Sequence, residues 1–216
     1  MEGGKRMSEN TIAKAAIDEA PKAREAEVLA AAVAIFNSRG YAATSISDIA
    51  NSLGIRKGSV YYYIDSKEDL LFRTLLSTSE RIERVREEAA SPAEVDPLKR
   101  LRAYVVGQTA FVAENMVLMG VYYREMRHLS AERADELRAA RRKQIEFVEG
   151  LILEAQKAGT VGRFSDHVLL TKFILSLITG VINWYHLGDD LPPRELGLHV
   201  WNHIESGLRT SASHGA

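Results

Sequence analysis

The chain has 216 residues and a formal net charge of −1, with 46% hydrophobic and 26% charged residues. This length can hold one or two domains with a buried core. The absence of cysteine excludes disulfide frameworks, cysteine-ligated zinc and thiol catalysis. Because the net charge is close to zero, any binding of nucleic acid must depend on a local basic patch.

The sequence does not predict a secreted or membrane protein. Its first residues lack the continuous apolar stretch of a signal peptide. The uncharged run from Phe173 to Tyr185 is shorter than the roughly 20 apolar residues that a spanning helix needs, so we predict a buried core helix there. We therefore expect a cytoplasmic location and no membrane partner.

Helical periodicity predicts an all-α fold of about nine helices. Residues 1–21 are polar and alanine-rich, and we expect a flexible arm there. Capping signatures at 45–48 and 66–69 each begin a helix. The prolines of the segment 90–97 interrupt the helical pattern. The predicted helices are 22–40, 46–54, 56–63, 66–88, 98–113, 117–129, 131–158, 166–187 and 193–208.

The second and third predicted helices have the features of a helix-turn-helix. Ala50 is small enough to let the two helices approach, and Gly54 can take the positive φ of the turn. The outer face of the third helix would present cations, hydroxyl groups and a glycine to a DNA groove: Arg56, Lys57, Gly58, Ser59, Tyr61 and Tyr62. The alternative is that the tyrosines pack on neighbouring helices and the cations are only solvated.

This stretch resembles the DNA-binding domain of the tetracycline-repressor (TetR) family of transcription regulators. The resemblance is carried by Phe36, Gly40, Tyr41, Thr44, Ile46, Ile49, Ala50, Gly54, Lys57, Gly58, Tyr61, Ser66, Lys67, Glu68 and Leu70. Ile64 stands where the family usually has phenylalanine, which is an apolar exchange at a packing position.

The resemblance implies a repressor that binds a double-stranded DNA operator. It places a three-helix helix-turn-helix domain at 22–68, a helical ligand-binding and dimerisation domain at 69–208 and a flexible tail at 209–216. The implied DNA contacts are Thr44, Ser45, Arg56, Lys57, Gly58, Ser59, Tyr61, Tyr62 and Lys67.

A homodimer is expected because two-fold symmetric helix-turn-helix proteins read two half-sites about 34–36 Å apart. Apolar stripes on the last two helices are the candidate surface, and with their symmetry mates they would form a four-helix bundle. The predicted interface residues are Ile174, Ile178, Val181, Tyr185, Leu196, Val200, Ile204 and Leu208. The alternative is that these stripes close only the core of the monomer.

Bulky apolar residues between the 90–97 segment and the last two predicted helices could line a cavity for a small effector. An arginine there could bind an acidic group of that effector. The predicted ligand-binding residues are Tyr104, Phe111, Met119, Tyr122, Tyr123, Arg124, Met126, Arg127, Phe173 and Trp184. For each apolar residue the alternative is simple core packing, and for each arginine it is a surface position. The cluster of Arg138, Arg141, Arg142 and Lys143 is either a solvated helix face or a site for a phosphate-rich ligand tail.

The segment INWYHLGDDLPPRELG, residues 182–197, is similar to a TetR subgroup that controls fatty-acid and steroid catabolism. That resemblance implies an effector of the acyl-CoA or lipid-like class. The alternative is a regulator of an efflux or xenobiotic-response gene that senses a drug-like ligand.

The sequence lacks the common catalytic motifs, including G-x-S-x-G, the P-loop, G-x-G-x-x-G and H-E-x-x-H. His199 and His203 have metal-ligand spacing, but Val200 stands where a zincin has its glutamate. We therefore predict no enzyme activity, no metal and no cofactor. An all-α enzyme or a scaffold protein remains the alternative outside the regulators.

Overall fold

The structure, a computed structural model, describes residues 23–91, 94–162, 166–186, 188 and 191–208. Within these ranges the protein is helical and contains no strand, so the all-α prediction is confirmed. The predicted N-terminal arm and C-terminal tail lie outside the described residues.

Nine α-helices make up the described chain. They are α1 (23–39), α2 (Ile46–Ser52), α3 (Lys57–Val60), α4 (Lys67–Ala89), α5 (Pro97–Glu114), α6 (Met116–Glu125), α7 (Ala131–Lys157), α8 (His167–Gly180) and α9 (Pro193–Leu208). Single 3₁₀ turns follow α6, at Met126–His128, and α8, at Val181–Asn183.

Helices α3 and α8 are among those that end earlier than predicted. Helix α3 ends at Val60, and Tyr61–Tyr63 form a turn, because aromatic side chains lose rotamer freedom in a helix and favour it weakly. Helix α8 ends at Gly180, where a glycine precedes the β-branched Val181, and the backbone tightens to a 3₁₀ turn. The predicted continuation of α8 to residue 187 is therefore wrong.

The chain divides into two compact units, Met1–Thr74 and Leu75–Ala216, with the division inside α4. The predicted domain boundary between 68 and 69 lies slightly earlier in the same helix and stays a prediction. The predicted interruption at 90–97 is the connection before α5, where the side chain of Asp96 accepts a 2.9 Å hydrogen bond from Leu98 N.

The first unit has a small core of its own. Phe36 of α1 and Ile49 of α2 are fully buried, and Val60 of α3 packs in the same interior. Ile64 is also buried, as expected for the position where the TetR pattern has phenylalanine. Arg73 ties α1 to α4, because its guanidinium bonds Glu25 at 3.0 Å and the buried Asp69 at 2.8 Å. These contacts hold the short helices α2 and α3 on a packed base.

The second unit is built around α5, which packs against α7, α8 and α9. Tyr104 of α5 and Leu151 of α7 are buried in its core, together with Trp201 of α9. Helices α5 and α9 approach closely at Gly197, where an added Cβ would lie 2.6 Å from the carbonyl oxygen of Val106. The core therefore depends on a glycine at this crossing.

Among the described residues, no single helix is long and apolar enough to cross a membrane. One sharply bent pair, Pro97–Glu114 with Met116–His128, meets the length and composition criteria together, with a bend of 92°.

Candidate DNA interface and effector cleft

A capping box fixes the start of α2. The Ser45 hydroxyl oxygen accepts from Asp48 N at 3.2 Å, and Ser45 N donates to the Asp48 carboxylate at 2.8 Å. Hydrogen bonds from Ser45 hold the pKa of Asp48 below its usual range, and Arg39 and Lys67 act in the same direction. The sequence predicted this cap from its spacing, and the prediction is confirmed.

The turn between α2 and α3 depends on glycine. Gly54 has a φ of 64°, in the left-handed region that other residues adopt at a cost. Ile55 N then donates to Ala50 O at 3.0 Å, and Ala50 is buried at the approach of the two helices. Both positions therefore have the roles that the sequence predicted for them.

The outer face of α3 and the turn after it are open to solvent. Arg56, Lys57 and Gly58 are exposed, and neither cation forms an ion pair among the described residues. Tyr61 is 46% exposed and Tyr62 is 85% exposed. Tyr62 is too exposed to be a packing residue, so the alternative of tyrosines packed on adjacent helices does not describe it, whereas about half of Tyr61 is covered by neighbours.

The other predicted DNA contacts have structural partners. Thr44 is buried, and its hydroxyl donates to Gly40 O at 2.8 Å. Lys67 is half-buried and lies 4.2 Å from the centre of the Tyr41 ring, and its ammonium donates to Ala42 O at 3.3 Å. Desolvation lowers the pKa of Lys67. Thr44 therefore supports the base of the face, while Lys67 lies at its edge.

Seven of the eight predicted dimer residues are buried within the second unit. These are Ile174, Ile178, Val181, Tyr185, Leu196, Ile204 and Leu208, and Val200 is half-buried. Because such side chains have almost no accessible area left to lose to another copy, their burial favours the alternative from sequence, and the location of the dimer surface stays a prediction. In that alternative they close the core of the monomer.

Helix α8 carries a second apolar stripe on its other side. Leu169, Phe173 and Leu177 recur every four residues and are 47%, 56% and 43% exposed. Trp184, just after α8, is 56% exposed. We call these four residues the outer face of α8. The spacing of these residues is visible in the sequence. The uncharged run 173–185 led instead to the prediction that the buried stripe of α8 forms the interface.

A cleft in the second unit lies between α5, α6, α7, α8 and the part of α4 after Thr74. We call it the inner cleft, and it has a volume of about 20 Å³, room for about one water molecule. Its lining is Ile82, Tyr104, Gln108, Tyr122, Tyr123, Arg141, Gln144, Ile145, Leu175, Ile178 and Thr179. An outer cleft of about 180 Å³ adjoins it, shares Arg141, Ile145, Leu175 and Thr179, and continues along α7 and α8.

Three of the ten predicted ligand residues, Tyr104, Tyr122 and Tyr123, line the inner cleft. The others lie elsewhere: Phe111 and Met119 in the core, Met126 half-buried, Arg124 and Arg127 on the surface, and Phe173 and Trp184 on the outer face of α8. These seven residues do not line the inner cleft, and their assignment to a ligand site stays a prediction, since hydrophobicity alone does not tell a cavity wall from a filled core.

The polar groups of the inner cleft were missed by the sequence analysis. Gln108 is only 5% exposed, and its Oε1 has no hydrogen-bond partner. Burial raises the pKa of Tyr122 and of Tyr123, while the Arg141 guanidinium, 5.7 Å from the Tyr123 ring, acts in the opposite direction. Arg141 belonged to a noted cluster, whereas nothing in the sequence distinguished Gln108.

The described residues contain no group of three or more histidine or acidic side chains that could hold a metal ion. His199 and His203 are exposed on α9.

Residues 28–74 match the family described as bacterial regulatory proteins, tetR family, and residues 94–208 match the tetracyclin repressor-like C-terminal domain. The chain belongs to the TetR family. It is therefore a DNA-binding transcriptional regulator, as predicted, and its family is not one of enzymes.

Relatives of this TetR-family chain include named repressors. It is 25% identical over 196 residues to the HTH-type transcriptional repressor KstR2 of Mycolicibacterium smegmatis, covering 88% of this chain and 93% of that protein. The solved KstR2 of Mycobacterium tuberculosis has the same fold, with a TM-score of 0.81, 23% identity and coverage of 87% and 96%. AibR, solved in complex with isovaleryl coenzyme A and operator DNA, matches with a TM-score of 0.74, 22% identity and coverage of 86% and 98%.

Proposed function

We propose that the protein is a homodimeric repressor that binds a palindromic operator and is released by a small, mainly apolar or acyl-CoA-type effector bound in the second unit. The observation that carries this proposal is the exposed face of cations and tyrosines on the helix-turn-helix, whose first helix is capped by Ser45 and whose turn contains Gly54. A cytoplasmic location follows from operator binding.

Operator contact is assigned first to the exposed face of α3. Arg56 and Lys57 can neutralise phosphates or bond guanine edges, and Gly58 lets the backbone approach the duplex. Tyr61 and Tyr62 offer rings and hydroxyl groups to the sugar-phosphate backbone. Ser45 is exposed beside the first amides of α2, while Ser59 and Lys67 are half-buried at the margin. The hydroxyl of Thr44 is engaged with Gly40, which favours a supporting role.

The dimer contact is assigned to the outer face of α8. Leu169, Phe173, Leu177 and Trp184 leave about half of their side-chain surface in water, which is unfavourable for large apolar groups. Pairing α8 with its symmetry mate would bury them and would place two copies of α3 on one operator. This exposed stripe of α8 replaces the buried one in the proposed interface.

The effector class is supported by the apolar residues that line the outer cleft and by proteins of known structure that share this fold. AibR shares the fold and was solved with isovaleryl coenzyme A and operator DNA, so this architecture accommodates both kinds of ligand. The regulator named for ketosteroids, KstR2, shares it too. A drug-like effector would fit apolar walls equally well, and a panel of ligands distinguishes the two classes.

Release from the operator requires that the effector binds two states of the dimer with different affinities. The state preferred by the effector would hold its two recognition helices at a spacing that does not match the half-sites. The size of the response is then limited by the ratio of effector affinities for the two states.

DNA binding is tested by replacing Arg56 and Lys57 with alanine and measuring the affinity for DNA from upstream of the protein's own gene. We expect at least a tenfold loss at fixed salt. We also expect the slope of log affinity against log salt concentration to become shallower. The change should be about 0.9 for each phosphate that the variant no longer neutralises. Lys157→Ala, an exposed cation at the end of α7, is the control and should bind as the wild type does. Equal affinities for all three proteins would contradict the assignment.

A further inference from the structure

We infer that Tyr41 is a positioning residue for operator binding. Its ring and the neighbouring carbonyl of Ala42 hold the ammonium group of Lys67 where it can meet a DNA phosphate. Tyr41 acts through Lys67 and not through a DNA contact of its own. This inference rests on the proposed function, in which Lys67 lies at the margin of the exposed face of α3, and it adds a residue that the proposed function does not use.

Lys67 occupies a position that is unfavourable for a cation. It is the first residue of the 23-residue helix α4, and the N-terminus of a helix carries a partial positive charge. The next two residues, Glu68 and Asp69, have the negative charge that this end favours. A cation held at this end therefore needs compensating contacts from elsewhere in the chain.

The compensating contacts come from the loop between α1 and α2. The Lys67 ammonium lies 4.2 Å from the centre of the Tyr41 ring, which is within the range of a cation–π interaction. The same ammonium donates a hydrogen bond to Ala42 O at 3.3 Å. Two consecutive residues of this loop therefore hold the end of the Lys67 side chain, although they are far from it in the sequence.

These contacts orient the ammonium group without neutralising it, because a ring face and a carbonyl oxygen carry no net charge. Lys67 forms no ion pair among the residues that the structure describes. Asp48 attracts Lys67 from a distance, but the hydrogen bonds of that carboxylate go to Ser45. The surrounding groups also remove part of the water around the ammonium group, which lowers its pKa. A phosphate would therefore meet a charged group that is already oriented and partly desolvated.

Tyr41 can hold a cation in place because its own position is fixed. Its ring packs edge-on against the fully buried Phe36, with 5.5 Å between the ring centres. The backbone of the loop is held by Thr44, whose hydroxyl donates to Gly40 O at 2.8 Å and whose N–H donates to Tyr41 O at 3.2 Å. The ring therefore links the Lys67 ammonium to the core of the first unit.

A double-mutant cycle on operator affinity tests the inference. Tyr41→Leu should weaken binding about threefold to tenfold at fixed salt, because the cation–π contact is lost and the Lys67 side chain becomes free to move. In a Lys67→Ala background the same change should alter the affinity by less than about twofold. An equal loss in both backgrounds would mean that Tyr41 acts on folding or touches DNA itself, and it would overturn the inference. So would a Lys67→Ala protein that binds the operator as the wild type does.

Two further variants serve as controls. Tyr41→Phe keeps the ring and should bind within about twofold of the wild type. If it binds as weakly as Tyr41→Leu, the hydroxyl group and not the ring carries the effect, which would contradict the inference. Tyr62→Leu removes an exposed tyrosine after α3, and its effect should be equal in both backgrounds. A Tyr62→Leu effect that vanished in the Lys67→Ala background would contradict the special role of Tyr41.

A measurement without DNA separates this inference from the proposed function. In the free protein, the ring of Tyr41 should shift the NMR signals of the Lys67 side-chain methylene groups upfield. Tyr41→Leu should abolish this shift, and Tyr41→Phe should keep it. Unshifted Lys67 signals in the wild type would overturn the inference, whatever the operator affinities are. Shifted signals in a protein that binds no operator would instead contradict the proposed function, on which the inference depends.

Discussion

Gly54 has a φ of 64°, and nothing lies within 4 Å of the position that a Cβ would occupy there. A substitution at this residue therefore changes backbone strain without creating a clash. Gly58, four residues later, also has open space around it, but it lies inside α3 with an ordinary helical backbone. The two glycines therefore have different roles. Gly54 allows the backbone of the turn, and Gly58 leaves the exposed face of α3 without a side chain at that position.

Alanine at each glycine should have opposite effects on stability. Gly54→Ala should lower the free energy of unfolding by about 1–2 kcal/mol, because a Cβ disfavours the left-handed region. Gly58→Ala should raise it by up to about 1 kcal/mol through helix propensity, yet weaken operator binding, because its Cβ would project from the face proposed to contact DNA. Denaturant unfolding and operator titration of both variants provide the check. A Gly54→Ala protein as stable as the wild type would contradict the role given to this turn.

At the scale of elements, the helices were predictable because their periodicity, caps and glycines are local signals. The capping box of α2 and the turn at Gly54 lie within a few residues and could be read directly. Helix α8 was harder, because it has apolar stripes on both sides. Periodicity cannot tell which stripe the monomer buries, since that choice depends on packing against α5 and α9.

The crossing of α5 and α9 offers a second matched pair of glycines. An added Cβ at Gly197 would lie 2.6 Å from Val106 O and 3.0 Å from its Cα, whereas Gly207 on the same helix has open space. Gly197→Ala should destabilise the protein by about 1–3 kcal/mol, because backbone atoms cannot rotate away from the intruding methyl group. Gly207→Ala should be neutral or slightly stabilising. The melting temperatures of the two variants test this prediction. Equal values would argue against a close approach of α5 and α9 at Gly197.

Across the whole chain, the residues of the effector cleft and of the dimer surface could not be predicted from sequence. Both depend on how the helices pack. The polar groups of the inner cleft, Gln108 and Arg141, are far apart in the chain and come to one cleft only because α5 and α7 pack together. The dimer surface likewise depends on which residues remain exposed once the core is complete. Family resemblance predicted that both surfaces exist, but not which side chains form them.

The outer face of α8 should govern self-association. Replacing both Phe173 and Leu177 with aspartate should convert a dimer to a monomer, because two charges would be buried in an apolar contact. Val117→Asp is the control, since Val117 is 49% exposed on α6 and lies outside this face. Sedimentation equilibrium measures the outcome. A doubly substituted protein that stays dimeric while folded would remove α8 from the interface.

In our proposal, the same chain binds the operator and senses an acyl-type effector. The most direct test is the affinity of the purified protein for DNA from upstream of its own gene, at one stated salt concentration, with and without acyl-CoA thioesters and free fatty acids. We expect specific binding that weakens at least tenfold when one of these classes saturates the protein. Specific binding that no member of the panel changes would contradict the acyl-type effector, and the absence of specific binding would contradict the operator assignment.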